Sequence, residues 1–567
     1  MRQVISVSKP RRFPSFKQWK QLPGILTRPE KFTLKTASAL LIASLATLIG
    51  VFVLAHRIEI PARGGEYTEA LIGEPQLINP IYPTINDVDR DLVTLMFSGL
   101  LKWDPDQGLI PDLAESFTVN PEGTTFTFIL REDAKFHNGD PVLARDVLFT
   151  INAIQNPVYR SPLLPIFKSV SVVQENDHTV SFTLEKPDPS FLNQLTIGIL
   201  PSSAWADILP QHAALAALNL QPIGSGFYQF DSFAKDKKGA IRSYTLKAFD
   251  HHVGTRAFID RLTFKFYPDV QGATEALMGK FVEGVSYVPF ENRQETRQNR
   301  AVMVYSPLVS RETFLAFNQK TSEPLKKKGV REAIAYAIDK THLVNETLSE
   351  DGLVLSGPLL SGIPGFENSV TDRGFDPEKA KQLLQDATGL QPAEQSAPIA
   401  LTLTTSDSAE MQNVAQEIKT ALEAVGIQMT IVSIPQQTFL EDVVTPRNFE
   451  LLLTTAQFNT DPDPYPFWHS APKEQAGLNV TDYANPDVDK LLEMARAAKT
   501  TEERNKAYQT FAQKITDDIP AIFLYQSRYG YAVSKKIHQI NLSSLRVPSD
   551  RFARVNEWYI KTKKALK

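Results

Sequence analysis

LVTLMFSGLLKWDPDQGLIPDLAESFTVNPEGTTFTFILREDAKFHNGDPVLARDVLFT, residues 92–150, is the stretch on which the fold turns. Inside it the run TTFTFIL sets Phe126, Phe128 and Leu130 at alternate positions, the period of a strand with one covered face. The same alternation recurs in HTVSFTL (Val180, Phe182, Leu184), RSYTLKAF (Tyr244, Leu246, Ala248) and RLTFKF (Leu262, Phe264, Phe266). Helical spacing appears elsewhere. VREAIAYAIDKTHL stacks Val330, Ile334, Ala337 and Ile338 on one stripe. MQNVAQEIKTALEAVG repeats Met411, Ala415, Ile418 and Leu422 and ends on Gly426, a residue suited to the left-handed position after a helix. Asp376-Pro377 and Asn485-Pro486 each place a capping side chain before a proline at the first helical position, which predicts helix starts there. SGPLLSGIPGFENS (356–369) and GLQPAEQSAP (389–398) read as surface loops. Strands interleaved with helices predict an α/β body of two or more layers.

The chain has 567 residues, too many for one core, since single cores stop growing near ~250–300 residues. It has no cysteine. That excludes a disulfide framework, a thiolate metal site, a thiol nucleophile and a lipidated Cys. The net charge of −4 conceals an asymmetry: residues 1–35 carry nine Lys or Arg against Glu30, a net +8, so the remainder carries −12. An acidic body argues against nucleic acid as a partner. After Lys35 comes TASALLIASLATLIGVFVLAH (36–56), without a Lys, Arg, Asp or Glu. About 20 apolar residues at 1.5 Å each can cross a bilayer. The basic tail (1–35) then lies in the cytoplasm and the body outside the cell membrane. Val53-Leu54-Ala55 would suit a signal cleavage site, but the long leader and the long apolar run favour an uncleaved single-pass anchor.

Signatures of catalysis are missing: there is no G-x-S-x-G, no G-x-x-x-x-G-K-[ST] and no H-E-x-x-H. His251-His252 are adjacent, and neighbours in sequence diverge, so they make a poor metal clamp. The densest unusual cluster is Asp461 and Asp463 in FNTDPDPYPFWHS, after the apolar strand FELLLTTAQF and before Tyr465, Phe467 and Trp468. Acids and aromatics at the carboxyl end of a strand suit a ligand crevice in an α/β sheet, so binding is favoured over catalysis.

The order of segments is more telling than any one of them. P-D-L-A-E-S, the hairpin, L-R-E-D-A-K-F-H-N-G and A-R-D-V in the opening stretch, with GGEYTEALIGEPQLINP (64–80) before it, resemble a known family. So do the later segments PIGSGFYQF (222–230), LAFNQKTSEPLKKKGVREAIAYAIDK (315–340), DPDPYPFWHS and IPAIFLY (519–525). The chain resembles the extracytoplasmic solute-binding proteins of peptide/nickel-type ABC transporters, the dipeptide- and oligopeptide-binding family 5, over residues 64 to about 545. Most of these motif residues are expected to maintain the fold, with Gly224 and Gly226 allowing a tight turn.

The resemblance implies an α/β, two-lobed periplasmic-binding-protein-like fold of the large class, with an extra subdomain in lobe I. The expected division is a basic tail (1–35), an anchor (36–56), lobe I (57–305), lobe II (306–525) and a return to lobe I (526–567). Two crossovers act as hinges, and a solute is captured between the lobes and handed to an ABC transporter permease with its ATPase. Relatives hold the peptide ammonium with an Asp in the loop corresponding to 457–464, which makes Asp461 and Asp463 the candidates. Gln457-Phe458 stands where Gly-Trp is familiar, and Ser406-Asp407-Ser408 stands where dipeptide binders carry an Arg, so a peptide longer than two residues is favoured. Gln457, Phe458, Phe314, Arg311 and Trp468 are the other expected ligand-wall residues. No catalytic residue, metal or cofactor is expected. The rival readings are an exported hydrolase of peptides or glycans using Asp461 and Asp463, and a peptide sensor without transport.

Overall fold

The computed structural model describes residues 20, 24, 26–82, 86–188, 190–361, 370–389, 399–436, 438–458, 463–470, 478–498 and 500–566. Most of the basic tail, residues 362–369 and 390–398 of the two expected loops, and Asp461 lie outside them. The chain forms two compact units, a small one from the residues up to Ala62 with those from Lys561, and a body over Arg63–Ile560.

In the small unit the apolar run becomes the helix Arg28–Ala55, which starts about two turns before the charge-free stretch. It begins there because Pro29 pre-sets the first turn and the Glu30 carboxylate accepts from the Thr27 backbone N–H at 2.8 Å and from the Thr27 hydroxyl at 2.7 Å. By length and composition the helix can cross a membrane. The strand Arg57–Ala62 follows it at once and pairs antiparallel with Lys561–Leu566, Arg57 opposite Leu566.

The body is built on two large sheets. In the first, Glu66–Ile72 lies between Arg261–Tyr267 and Gly284–Val285, parallel to both, and the edges are Tyr228–Lys235 and Val302–Tyr305. In the second, the order is Gly352–Val354, Ala521–Arg528, Leu308–Phe317, Leu451–Gln457, Ile399–Ser406, Ile427–Ile434. A separate four-stranded antiparallel sheet contains Ala114–Val119, Thr125–Leu130, Thr179–Thr183 and Ser171–Asn176. Phe126, Phe128 and Leu130 are buried and their neighbours are not, as the alternation predicts. The predicted helices also form. Asp376 caps Pro377–Thr388 by accepting from the Lys379 N–H, Asn485 caps Pro486–Arg496, and Ala409–Ala424 is followed by Gly426 at φ +96°.

Gly224 is required for a reason other than the expected turn. Its φ is not in the left-handed region, but a Cβ there would fall inside the Met96 carbonyl, whose oxygen accepts from the Gly226 N–H at 2.9 Å. The backbone segment packs directly on the end of the helix Asp87–Met96, and only glycine permits that approach.

The chain passes from the first sheet to the second between Tyr305 and Leu308, and back between Arg528 and Tyr531. The two passages are tied side by side. The Tyr529 N–H donates to the Pro307 carbonyl at 2.8 Å, and Arg528 Nη1 donates to the Ser306 carbonyl at 2.9 Å. Arg293 braces them, donating through Nη2 to the Arg528 carbonyl at 3.0 Å and pairing through Nη1 with Asp351 at 3.0 Å, both side chains being buried. After its return the chain locks onto the first sheet through Arg551, which is fully buried against Glu69 and Asp91. Tyr67 and Tyr531 donate to the remaining Glu69 oxygen at 2.7 and 2.9 Å, so the buried carboxylate is fully solvated by protein.

Candidate ligand-binding site

The two faces of the second sheet bury different cores, because alternate residues of each strand point opposite ways. Leu315, Phe317, Leu451 and Leu453 pack under the helices Lys328–Ala337 and Ala409–Ala424. Phe314, Ala316, Leu452 and Ala456 face the other way, against Trp468, Tyr508 and Phe523. On this second face lies a cavity of about 250 Å³. Phe314, Ala456, Phe439 and Phe467 supply its apolar wall, and Ser406 and Gln436 supply polar atoms. It opens at the carboxyl ends of the parallel strands Ile399–Ser406 and Leu451–Gln457, where no strand follows to fill the space.

The sequence-derived residues gather around this end of the sheet. Phe314 is buried, lines the cavity, and lies with its ring centroid 6.4 Å from Trp468 and 6.3 Å from Phe523. Trp468 is also buried, and its Nε1 has no hydrogen-bond partner among the described residues. Phe458 is buried and packs on Phe467 at 4.8 Å. Gln457 pairs with Arg311 across the ladder, and its Nε2 donates to the Ser310 carbonyl at 2.9 Å, so its amide holds the strand end. Phe314, Trp468 and Phe458 are therefore brought together, while Gln457 sits beside them on the exposed edge.

Asp463 is committed within the protein. Its carboxylate accepts from the Tyr465 N–H at 2.9 Å, the Tyr508 hydroxyl at 3.0 Å and Arg496 Nε at 2.7 Å. The Arg496 guanidinium also stacks 3.5 Å from the Tyr465 ring centroid, which closes the cluster.

Arg311 points to the opposite face from Phe314. Its guanidinium stands 3.7 Å from the Glu410 carboxylate, in the first turn of Ala409–Ala424, and the Tyr525 hydroxyl donates to the same carboxylate at 2.8 Å. Burial works most strongly against the Arg311 charge, but Glu410 together with the Tyr287 and Tyr525 hydroxyls outweighs it and holds the guanidinium above its usual pKa.

Two residues escape sequence reasoning. Glu410 reads as an ordinary first-turn acid. Glu312 sits in an apolar strand and is fully buried, and neither of its carboxylate oxygens has a hydrogen-bond partner among the described residues. Burial pushes its carboxyl well above the ordinary carboxylate range. A charged residue in the middle of LVSRETFLAF is the only trace of it in the sequence. Among the described residues no group of three or more His, Cys, Asp or Glu is placed to hold a metal ion.

Comparison with known proteins fits this architecture. The family described as bacterial extracellular solute-binding proteins, family 5 Middle, matches residues 108–477, more than half the chain. The oligopeptide-binding protein AppA of Bacillus subtilis is 27% identical over 500 residues, covering 84% of this chain and 89% of that protein. The dipeptide-binding protein of Escherichia coli is 26% identical over 451 residues, covering 76% and 83%. The crystal structure of NikZ from Campylobacter jejuni in complex with Ni(L-His) superposes with a TM-score of 0.71 at 25% identity, covering 87% of this chain and 99% of that one.

Proposed function

The chain belongs to the family 5 bacterial extracellular solute-binding proteins, and from that membership we propose that it captures peptides outside the cell and delivers them to an ABC transporter permease. The observation that carries the reading is the cavity at the strand ends of the second sheet, walled by aromatics. Extended peptides bind by main-chain hydrogen bonds that tolerate sequence, with pockets receiving side chains, and an apolar cavity with a few polar atoms is such a pocket. The relatives whose names specify dipeptides or oligopeptides support this choice of solute.

In this reading lobe I comprises residues 57–305 and 526–567 and lobe II residues 306–525, and they close about the passages at 306–307 and 529–530. Solute contacts to both lobes would bias the protein toward its closed form, which a permease can recognise. Arg28–Ala55 is a single-pass anchor with a cytoplasmic basic tail, which its length, composition and flanking charge support. Phe314, Phe458 and Trp468 form the solute wall, with Gln457 and Arg311 at its edge. Asp461 is the acid that meets a peptide ammonium, because Asp463 already has three partners.

The test is thermal stabilisation of the full-length protein in detergent by a diverse library of short peptides. A ligand at 100 Kd should add about 2.7 kcal/mol. No stabilisation by any peptide would overturn the choice of solute, and cleavage of the peptides seen by mass spectrometry would favour a hydrolase.

A further inference from the structure

Glu312 lies on the strand Leu308–Phe317, four residues after the chain enters the second sheet. Alternation puts it on the same face as Phe314, two residues on, and the ladder sets it directly opposite Ala456. Both of those residues line the cavity. On its other side the ladder sets it against Gln526. That amide is engaged with the backbone instead, donating through Nε2 to the Val309 carbonyl at 3.1 Å and accepting through Oε1 from the Ser361 N–H at 2.9 Å. The adjacent cation, Arg311, points to the opposite face and is paired with Glu410. Glu312 thus lies fully buried between two neighbours that line the cavity, with no counter-charge and no hydrogen bond from any described residue.

Such a group is expensive. An unpaired buried carboxylate costs several kcal/mol, and even a protonated one leaves a donor and an acceptor unsatisfied. A valine or leucine of similar size would fill this apolar face at no such cost. The penalty is offset when a cation arrives from outside and hydrogen-bonds the carboxylate.

We propose that Glu312 is the counter-ion for a cationic group of the solute, an ammonium or guanidinium carried into the cavity. This rests on the receptor reading above and narrows it to solutes bearing a positive charge beyond the terminal amine. A basic peptide side chain is the source to which the geometry commits, since the cavity beside Glu312 is walled for a side chain. The ion pair replaces a desolvation penalty with a charge-assisted hydrogen bond, so selectivity is large for a single contact.

The experiment measures binding of N-acetylated peptides to full-length wild type, Glu312→Gln and Glu312→Val in detergent. Peptides carry Lys or Arg, or their neutral counterparts norleucine and citrulline; agmatine and spermidine serve as non-peptide cations. Wild type should prefer the basic peptide by about tenfold or more in Kd, and both variants should bring that ratio to within about twofold while keeping affinity for the neutral peptide. The variants should melt no lower than wild type without solute, because they remove an unpaired buried acid. Equal binding of basic and neutral peptides by wild type overturns the proposal and leaves the peptide receptor standing. Binding of agmatine or spermidine alone, lost in Glu312→Gln, upholds the cation site and overturns peptides as the solute. Binding of no cation of either kind overturns the proposal.

Discussion

Arg551 Nη1 donates to Asp91 Oδ1 at 2.7 Å, and the two residues are 460 positions apart in the chain. Neither side chain meets solvent appreciably, and Glu69 completes the cluster on the other side of the guanidinium. The cluster fastens the last part of the body to the strand that opens it, through Glu69, and to the helix Asp87–Met96, through Asp91.

Breaking one partner of a buried ion pair costs about 3–5 kcal/mol, because the other charge stays behind unpaired. Arg551→Met should therefore destabilise the body by about that amount, with two carboxylates left facing each other. Urea denaturation of the full-length variant, followed by tryptophan fluorescence, measures it. A loss under about 1 kcal/mol would mean that water reaches the site and the cluster does not hold the sheet.

Acid should weaken the body through two histidines. Burial lowers the pKa of both His137 and His252 to about 4. His137 Nδ1 accepts from the Gly224 N–H at 3.2 Å, a bond that only the unprotonated nitrogen can make. Between pH 6.5 and 4 the unfolded chain binds protons that the folded chain refuses, so stability is complete above 6.5 and falls as pH drops. Asp91, raised to about 6 by burial, contributes the opposite slope between its unfolded value and 6. The histidine effect is therefore read as a difference: His252→Phe should show a shallower fall in Tm between pH 6.5 and 4.5 than wild type. Parallel curves would show that His252 takes up its proton in the folded state.

The two acids of the D-P-D-P segment should separate cleanly. Asp463→Asn loses a charge-assisted bond to Arg496 and weakens those to Tyr508 and Tyr465, which predicts a stability loss of about 1–3 kcal/mol with solute selectivity unchanged. Asp461→Asn should leave Tm unchanged and weaken peptides with a free amino terminus by about tenfold or more relative to acetylated ones. Calorimetry on matched peptide pairs checks both. A free-amine preference lost in Asp463→Asn and kept in Asp461→Asn would reverse the assignment.

Phe314→Ala should enlarge the cavity toward Trp468 and Phe523. The expected destabilisation is about 3–5 kcal/mol, and small peptide side chains should bind more weakly than bulky ones, which can occupy the new space. Thermal shifts across a series from alanine to phenylalanine at one peptide position measure it. A uniform loss along the series would make Phe314 a packing residue only.

What could be read from the sequence was local. Alternation at Phe126, Phe128 and Leu130, the caps at Asp376 and Asn485, and Gly426 depend on neighbours a few residues away, and all recur in the structure. Features set by tertiary pairing were not readable. Glu69 shares a strand face with Tyr67 and Leu71 in EYTEALI, and nothing nearby shows what an acid does there; Arg551, 482 residues on, makes it a buried anion. Asp461 and Asp463 look alike in sequence, and only the arrival of Arg496 and Tyr508 distinguishes the second. Gly224 reads as a turn residue because glycine more often serves one. Its real constraint is Met96, more than a hundred residues earlier.

The pairing of Arg57–Ala62 with Lys561–Leu566 has a consequence for how the chain is made. The partner of the first residues to follow the apolar helix lies far downstream, Thr562 standing 503 positions after Glu59, so the clasp stays unzipped until the whole body between the two strands has been synthesised. A chain interrupted anywhere before Lys561 would leave the edge of Arg57–Ala62 bare beside that helix, a template open to pairing with a neighbouring copy.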